Sequence, residues 1–137
     1  MSDEGKIAIV ACAGMDKALG SVAMLSVFKI VEGLRPREVR LIALPPLLAG
    51  VAPYSELVTK LPIIAVDGCA ERCATKLIAK SGGRIRGRVL VTDCVKKYGL
   101  TPNSAVDIGP DGRKLAEKVA EEVSSLVDKL CGRQGIE

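Results

Sequence analysis

The chain has 137 residues, of which 48% are hydrophobic and 26% are charged, a size and composition typical of one globular domain with one core. Aromatic residues make up only 2% and histidine is absent. The absence of histidine excludes Ser-His-Asp and Cys-His triads and imidazole metal ligands, and so few aromatic residues leave almost no platform for stacking bases. The net charge of +4 allows contact with an anion and does not call for a nucleic-acid partner.

The location of the protein is predicted from its apolar stretches. The polar start MSDEGK is unlike a signal peptide. The longest apolar stretch, LIALPPLLAGVA, contains two prolines and is shorter than the roughly 20 residues that a membrane-spanning helix needs. We therefore expect a cytoplasmic protein with no membrane partner.

The first predicted elements are a strand and a helix. The run KIAIVACAG (Lys6–Gly14) is rich in β-formers and ends at a glycine, as is typical of a strand buried on both faces. A helix is predicted over Gly20–Leu34. Four of its apolar residues recur at helical spacing and would share one face: Met24, Val27, Phe28 and Val31.

The next predicted elements alternate in the same way. Glu38–Leu44 is predicted as the second strand, ended by the prolines that follow it. Pro53–Lys60 is predicted as a short helix and Leu61–Asp67 as the third strand. Cys69–Lys80 is composed of good helix formers, so a helix is predicted there.

The last predicted elements complete an α/β pattern. Arg86–Asp93 is predicted as the fourth strand, and Asp111–Leu130 as a long amphipathic helix. The apolar stripe of that helix consists of Leu115, Val119, Val123, Leu126 and Leu130. Alternating strands and helices predict a single α/β domain over residues 1–137, a three-layer sandwich with a mostly parallel sheet of about four strands.

Cysteines follow three of the predicted strands. Cys12, Cys69 and Cys94 each stand where a strand ends, and the carboxyl ends of parallel strands share one edge of the sheet. Cys73 lies one helical turn after Cys69 and would share its helix face. Four converging thiols suit zinc, which takes four sulfurs tetrahedrally. We therefore predict a zinc site formed by these four cysteines.

Other residues near these cysteines have simpler roles. A helix beginning at Cys69 would favour its thiolate. Asp67 and Asp93 are predicted to cap the following helices rather than to bind metal. Lys17 could attract a small anionic molecule. Cys131, at the end of the last helix, is predicted to be a structural or surface residue.

The residues DGCAERCATKLI after an apolar strand, together with CAGMDKALGSVA after the first strand, resemble the DGC-domain family. The resemblance runs from about Lys6 to Pro102, and the motif that names the family is Asp67-Gly68-Cys69. Family members are described as zinc-binding proteins with no established reaction.

The resemblance implies a set of ligands. Carried over onto this sequence by motif, that set is Cys12, Cys69 and Cys73. Family members often carry another cysteine just after the second strand, where this chain has Leu44-Pro45-Pro46. Cys94 is then the candidate for the fourth ligand.

Several functions remain open at this point. A zinc protein could handle metal or use zinc as a Lewis acid on a small molecule. A metal-free thiol enzyme or sulfur carrier would use Cys69 as its nucleophile, with Cys73 or Cys12 resolving the product. An iron–sulfur protein also suits four cysteines, and a plain interaction module needs none of them. The sequence decides neither whether the protein is an enzyme nor its oligomeric state.

Overall fold

The architecture is a four-stranded sheet covered by helices on both faces. The computed structural model of this chain describes residues 3, 5–12 and 16–135. Its strands are β1 (Ile7–Ala11), β2 (Val39–Leu41), β3 (Pro62–Asp67) and β4 (Arg84–Leu90). They lie in the order β2-β1-β3-β4, and every neighbouring pair is parallel. The predicted α/β class with a parallel sheet is confirmed. Gly14, where the sequence analysis ended the first strand, is outside the described residues.

Helices connect the strands and divide into two layers. The helices are α1 (Ala18–Lys29), continued by a π-helical segment (Ile30–Leu34), then α2 (Leu44–Leu48), α3 (Tyr54–Lys60), α4 (Cys73–Lys80), α5 (Val91–Tyr98) and α6 (Gly109–Gly135). Helices α1, α5 and α6 pack with one face of the sheet, and α2, α3 and α4 with the other. No helix within the described residues is both long enough and apolar enough to cross a bilayer.

The continuous apolar runs form strands because the two central strands are buried on both faces. In β1, Ile7 and Ile9 belong to the core under α1 and α6, while Ala8 and Val10 belong to the core under α2–α4. All four are fully buried. A strand covered on both sides has no solvent face, so its sequence does not alternate between apolar and polar residues.

The apolar residues that the helical spacing places on one face of the first helix are not all buried. Met24 and Phe28 are exposed, whereas the buried positions of α1 are Gly20, Val22, Ala23, Ser26 and Val27. Several of these buried residues are small, so α1 can lie close to the sheet and to α6. The larger apolar side chains are left on its outer side.

The proline pair after the second strand lies in a helix that the sequence analysis missed. Pro45 and Pro46 are in the first turn of α2. A proline there loses no hydrogen bond, because the first N–H groups of a helix have no partner within the helix. The strand before them is shorter than predicted, ending at Leu41.

Two predicted boundaries near the cysteines are also wrong. Helix α4 begins at Cys73, not at Cys69, so the two residues do not share one helix face. The fourth strand ends at Leu90, so Asp93 and Cys94 are in the first turns of α5. The long last helix is confirmed, with Leu115, Val119 and Val123 fully buried.

Candidate functional site

The strand order contains one point where the chain changes direction across the sheet. From β1 the chain moves to β2 on one side, and from β2 it crosses over β1 to reach β3 on the other side. The connections on the two sides therefore cover opposite faces. In open parallel sheets the crevice outside the carboxyl ends of such strands is the usual place for a ligand. Here it lies between the ends of β1 and β3.

Cys12 lies directly at this crevice. Its N–H donates to the carbonyl of Val66 at 3.0 Å, which extends the β1–β3 ladder by one residue. Its Sγ accepts a hydrogen bond from the N–H of Gly68 at 3.2 Å. The sulfur of Cys12, at the end of β1, is thus hydrogen-bonded to the Asp-Gly-Cys turn that follows β3.

Gly68 permits this turn because it lies against the beginning of α1. A Cβ at this position would be 2.9 Å from the carbonyl carbon of Leu19 and 3.0 Å from the amide nitrogen of Gly20. Both neighbours are backbone atoms of a helix, which cannot rotate away as a side chain can. The glycine of the motif is therefore required for the close approach between the β3–α4 turn and α1.

Asp67 fixes the start of α4. Its side chain is buried, with Oδ1 accepting the N–H of Ala74 at 2.8 Å and Oδ2 accepting the hydroxyl of Thr75 at 2.5 Å. The carboxylate thus satisfies a free donor in the first turn of a helix that has no local side-chain cap. The predicted capping role of Asp67 is confirmed. Among the described residues Asp93 makes no cap hydrogen bond at α5, whose N-cap position is Leu90.

Between Asp67, which ends β3, and Cys73, which begins α4, the chain makes a turn through residues 68–72. Arg72, just before α4, has φ 54° and ψ 49°, a left-handed conformation that is uncommon for a residue with a side chain. The turn places Cys69 outside the helix and Cys73 at its first residue. Both residues therefore border the same crevice, Cys69 from the turn and Cys73 from the helix.

One pocket contains three of the four predicted ligands. Cys12, Cys69 and Cys73 all line a pocket of about 240 Å³ at the β1–β3 crevice, which we call the thiol pocket. Its wall also includes the charged residues Asp16, Lys17, Glu71 and Arg72. Cys12 and Cys69 are half-buried and Cys73 is exposed. The pocket is accessible to a small ligand.

The thiols line the pocket without forming a closed cluster. In the part of the chain that the structure describes, no three Cys, Asp or Glu side chains are arranged to hold a metal ion. All five cysteines are free thiols. As a donor set, three sulfurs around one opening suit a thiophilic divalent ion.

Cys94 does not join this pocket. It is only 2% exposed and packs within the core under α1 and α6. Burial, and then the negative charge of nearby Glu122, raise the pKa of the Cys94 thiol from 9.0 to about 11. At neutral pH this cysteine is a protonated, buried apolar group.

Cys131 lies in α6, toward the opposite edge of the sheet. It is half-buried. Burial is the main cause that raises the pKa of its thiol, and the negative charge of Glu38 is the second. Glu38 precedes β2, and its carbonyl accepts the N–H of Ile7, so this region is the amino end of the parallel strands. The thiol pocket is at the carboxyl end.

The sequence analysis missed Glu71 and Arg72, two charged residues of the pocket wall. Glu71 and Arg72 were assigned to the interior of a helix, which gave no reason to place them beside the thiols. Their position two and three residues after the Asp-Gly-Cys motif is the only sequence signal that could have suggested it. Lys17, proposed from the sequence as a group near the thiols, does line the pocket.

Comparison with known proteins identifies a family. No curated protein and no solved structure matches the chain. The family model of the DGC domain matches residues 8–127, which include most of β1, the Asp-Gly-Cys turn and most of α6. The chain therefore belongs to the DGC-domain family.

Proposed function

We propose that this protein binds one zinc ion at the thiol pocket through Cys12, Cys69 and Cys73. The observation that carries the proposal is that thiols from two remote segments line one pocket at the crevice between β1 and β3. Zinc binds thiolate sulfur readily and takes a tetrahedral set of ligands. The hydrogen bond from Gly68 to Cys12 Sγ resembles the outer contacts by which proteins orient sulfur ligands.

Binding would need a local rearrangement of the pocket. Because the described side chains do not form a ligand cluster, the thiols of Cys69 and Cys73 would have to turn toward Cys12. Cys73 is exposed and Cys69 lies in a turn outside the helix, so both have room to rotate. Cys12 is held by its backbone contacts and would be the fixed ligand.

Three ligands leave the fourth zinc position for water or a small molecule. When bound there, zinc would supply Lewis-acid chemistry, polarising an oxygen or sulfur of that molecule. Lys17 and Arg72 line the same pocket and would attract an anionic group. Cys94 is not included in this ligand set because it is buried away from the pocket.

A metal-free thiol reaction is the second candidate, favoured by the accessibility of three free thiols in one pocket. Cys69 thiolate would attack a disulfide of a small molecule, forming a mixed disulfide and releasing one thiolate. Cys73 or Cys12 would then attack the mixed disulfide, releasing the second thiolate and leaving an internal disulfide. Either function needs reduced cysteines, which fits a cytoplasmic setting.

Metal analysis of anaerobically purified protein tests the proposal. We expect one zinc per chain. Changing Cys12, Cys69 or Cys73 to Ser should each weaken zinc affinity by more than about 100-fold, since even outer contacts of zinc ligands are worth 10–100-fold. Affinity is measured by competition with a coloured chelator, and cobalt substitution reports thiolate ligation through its charge-transfer absorption.

Two further variants serve as matched controls. Cys131→Ser, at the opposite edge of the sheet, and Cys94→Ala, in the core, should retain stoichiometric zinc. Loss of zinc in Cys94→Ala with an intact fold would restore the four-cysteine site. Protein without metal whose Cys69 is alkylated fastest would support the thiol reaction instead, and iron with visible colour would support a cluster.

A further inference from the structure

The wall of the thiol pocket carries charged side chains of both signs. Within the described residues these are two acidic and two basic groups, Asp16, Lys17, Glu71 and Arg72. Asp16 and Lys17 lie directly before α1. Glu71 and Arg72 lie directly before α4. Each of the two turns that lead from a central strand into a helix therefore brings one acid, followed by one base, to the pocket.

These four charges are largely unused within the protein. In the part of the chain that the structure describes, Glu71 alone among them has an ion pair, a contact of 4.0 Å with Lys76. The side chains of Lys76 and Glu71 are 66% and 73% exposed, and such a contact contributes little to stability. Asp16 and Lys17 are exposed and Arg72 is half-buried. All four groups are therefore accessible to a small molecule that enters the pocket.

The mixture of charges limits the class of ligand. Two acids and two bases cancel, and residues 13–15, which lie outside the described residues, carry no charged side chain. A simple anion would be attracted by the two bases but repelled by the two acids, and a simple cation would meet the reverse. A small molecule with one positive and one negative group can use both kinds of side chain. An α-amino acid is such a molecule at neutral pH.

The sulfur atoms of the pocket limit the ligand further. With zinc held by Cys12, Cys69 and Cys73, a thiolate of the ligand would complete the tetrahedral four-sulfur set that zinc accepts. The three cysteine thiolates carry more negative charge than Zn²⁺ neutralises, so a ligand thiolate binds more readily when the same molecule brings a positive group. The pocket volume of about 240 Å³ is below the roughly 300–1,000 Å³ of pockets for drug-sized molecules. The ligand therefore has few heavy atoms.

We propose that the ligand of the thiol pocket is a small zwitterionic amino acid that carries a thiol, of which free cysteine is the simplest. This inference rests on the proposed zinc site. The thiol of the ligand loses its proton to solvent and takes the open zinc position in place of water. The carboxylate of the ligand lies toward Lys17 and Arg72, whose guanidinium can bind both carboxylate oxygens. The ammonium group of the ligand lies toward Asp16 and Glu71.

Binding of small thiols to the cobalt-substituted full chain tests the proposal. The sulfur-to-cobalt absorption grows when a further thiolate binds, so each thiol can be titrated. The probes are cysteine, cysteamine (which lacks the carboxylate), 3-mercaptopropionate (which lacks the amine) and 2-mercaptoethanol, which lacks both. We expect cysteine to bind at least about tenfold more tightly than 2-mercaptoethanol, because hydrogen bonds between charged groups are strong. Ultrafiltration establishes that the metal stays on the protein, since free cysteine also chelates metals.

Two double variants assign the charges of the wall to the groups of the ligand. Lys17→Gln with Arg72→Gln should weaken the binding of cysteine and 3-mercaptopropionate about tenfold, and should not weaken that of cysteamine, which has no carboxylate. Asp16→Asn with Glu71→Gln should weaken the binding of cysteine and cysteamine about tenfold, and should not weaken that of 3-mercaptopropionate. Because each comparison uses one ligand with two proteins, differences in thiol acidity between the ligands cancel.

Two substitutions outside the pocket are the matched controls. Arg86 and Glu117 are exposed and do not line the thiol pocket. Arg86→Gln and Glu117→Gln should each leave the affinity for all four thiols within about threefold of the original. Circular dichroism and zinc content establish that every variant is folded and loaded.

The outcomes separate this inference from the proposed function. A folded chain that binds no zinc overturns both. A zinc-loaded chain that binds cysteine no more tightly than 2-mercaptoethanol overturns only the inference. A double variant that weakens the binding of all four thiols equally does the same, because its charges then act on the metal site and not on the ligand.

Discussion

Cys94 and Cys12 show how the same side chain takes different roles in different surroundings. Cys12 is half-buried at a crevice and its sulfur accepts a backbone hydrogen bond. Cys94 is enclosed by apolar residues with a carboxylate nearby, and its pKa is raised to about 11. The first thiol is available for ligand chemistry, whereas the second contributes to the core.

The raised pKa of Cys94 has a consequence for stability at high pH. The unfolded thiol ionises near 9.0 and the folded one near 11, so between these values the folded state binds more protons. Stability must therefore fall as the pH rises through this window. At about 1.4 kcal/mol for each pKa unit, the difference between 9.0 and about 11 sets an upper limit of about 3 kcal/mol. We expect the contribution of Cys94 to be about 1–2 kcal/mol, below that limit.

Urea unfolding at several pH values between 9 and 11 measures this effect. The free energy of unfolding should fall less steeply in Cys94→Ala than in the original chain, because the other ionisable groups are the same in both. Slopes that stay parallel in the two proteins would mean that Cys94 ionises normally in the folded state.

At the scale of elements, the thiol pocket depends on the connection between β3 and α4. Asp67 ends the strand and holds the first turn of the helix, and Gly68 between them touches the backbone of α1. The Asp-Gly-Cys motif thus supplies a capping carboxylate, a close approach and a pocket thiol in three consecutive residues. Each requirement restricts the residue at its position.

Removing the capping carboxylate should weaken both the fold and the pocket. Asp67→Ala leaves the N–H of Ala74 buried without its acceptor, so we expect the free energy of unfolding to fall by about 2–4 kcal/mol. Zinc affinity should fall as well, because Cys73 begins the helix that Asp67 holds. Urea unfolding and chelator competition measure the two effects.

Asp107→Ala is the matched control for that variant. Asp107 Oδ1 accepts the N–H of Gly109 at 3.1 Å at the start of α6, where the carboxylate is exposed. The same chemical change there should cost less than about 1 kcal/mol and leave zinc affinity unchanged. Equal losses in the two variants would contradict the role given to Asp67.

The elements were predictable where a local pattern determines them, and not where tertiary contacts do. The apolar runs of β1 and β3 and the stripe of α6 were recognisable because burial requires those patterns. The turn through Arg72 was not, since the cap of α4 comes from the preceding strand. Val91 and Thr92 favour strands, yet they begin α5, because a helix boundary is determined by packing as well as by propensity.

The candidate site was predictable in part for the same reason. Parallel strands bring their carboxyl ends to one edge, which predicted that Cys12 and Cys69 would lie close together. The outer position of Phe28 could not be read from helical spacing, because spacing groups residues on a face without saying which face is buried. The sequence alone therefore did not predict which apolar side chains of α1 are exposed.

At the scale of the whole molecule, stability should be greatest in the middle of the sheet. β1 and β3 are paired on both edges, while β2 has three residues and β4 has an open outer edge. Amides of β1 and β3 should exchange with solvent only through global unfolding, and those of β2 through local opening as well.

Native-state hydrogen exchange at low urea concentration tests this expectation. Protection of β1 and β3 amides should correspond to the full free energy of unfolding, and protection of β2 amides should be lower and nearly independent of urea. If β2 amides exchange as slowly as those of β3, the sheet unfolds only as one unit and the expectation fails.

The pairing of β1 with β3 also determines when the pocket can exist during synthesis. Cys12 is translated early, but its neighbours Gly68, Cys69 and Cys73 leave the ribosome only after the second strand and three helices have been made. A nascent chain that carries Cys12 alone presents one isolated sulfur to the ion. Metal would therefore bind at this pocket only in polypeptides whose third strand has already paired with β1, and not in earlier folding intermediates.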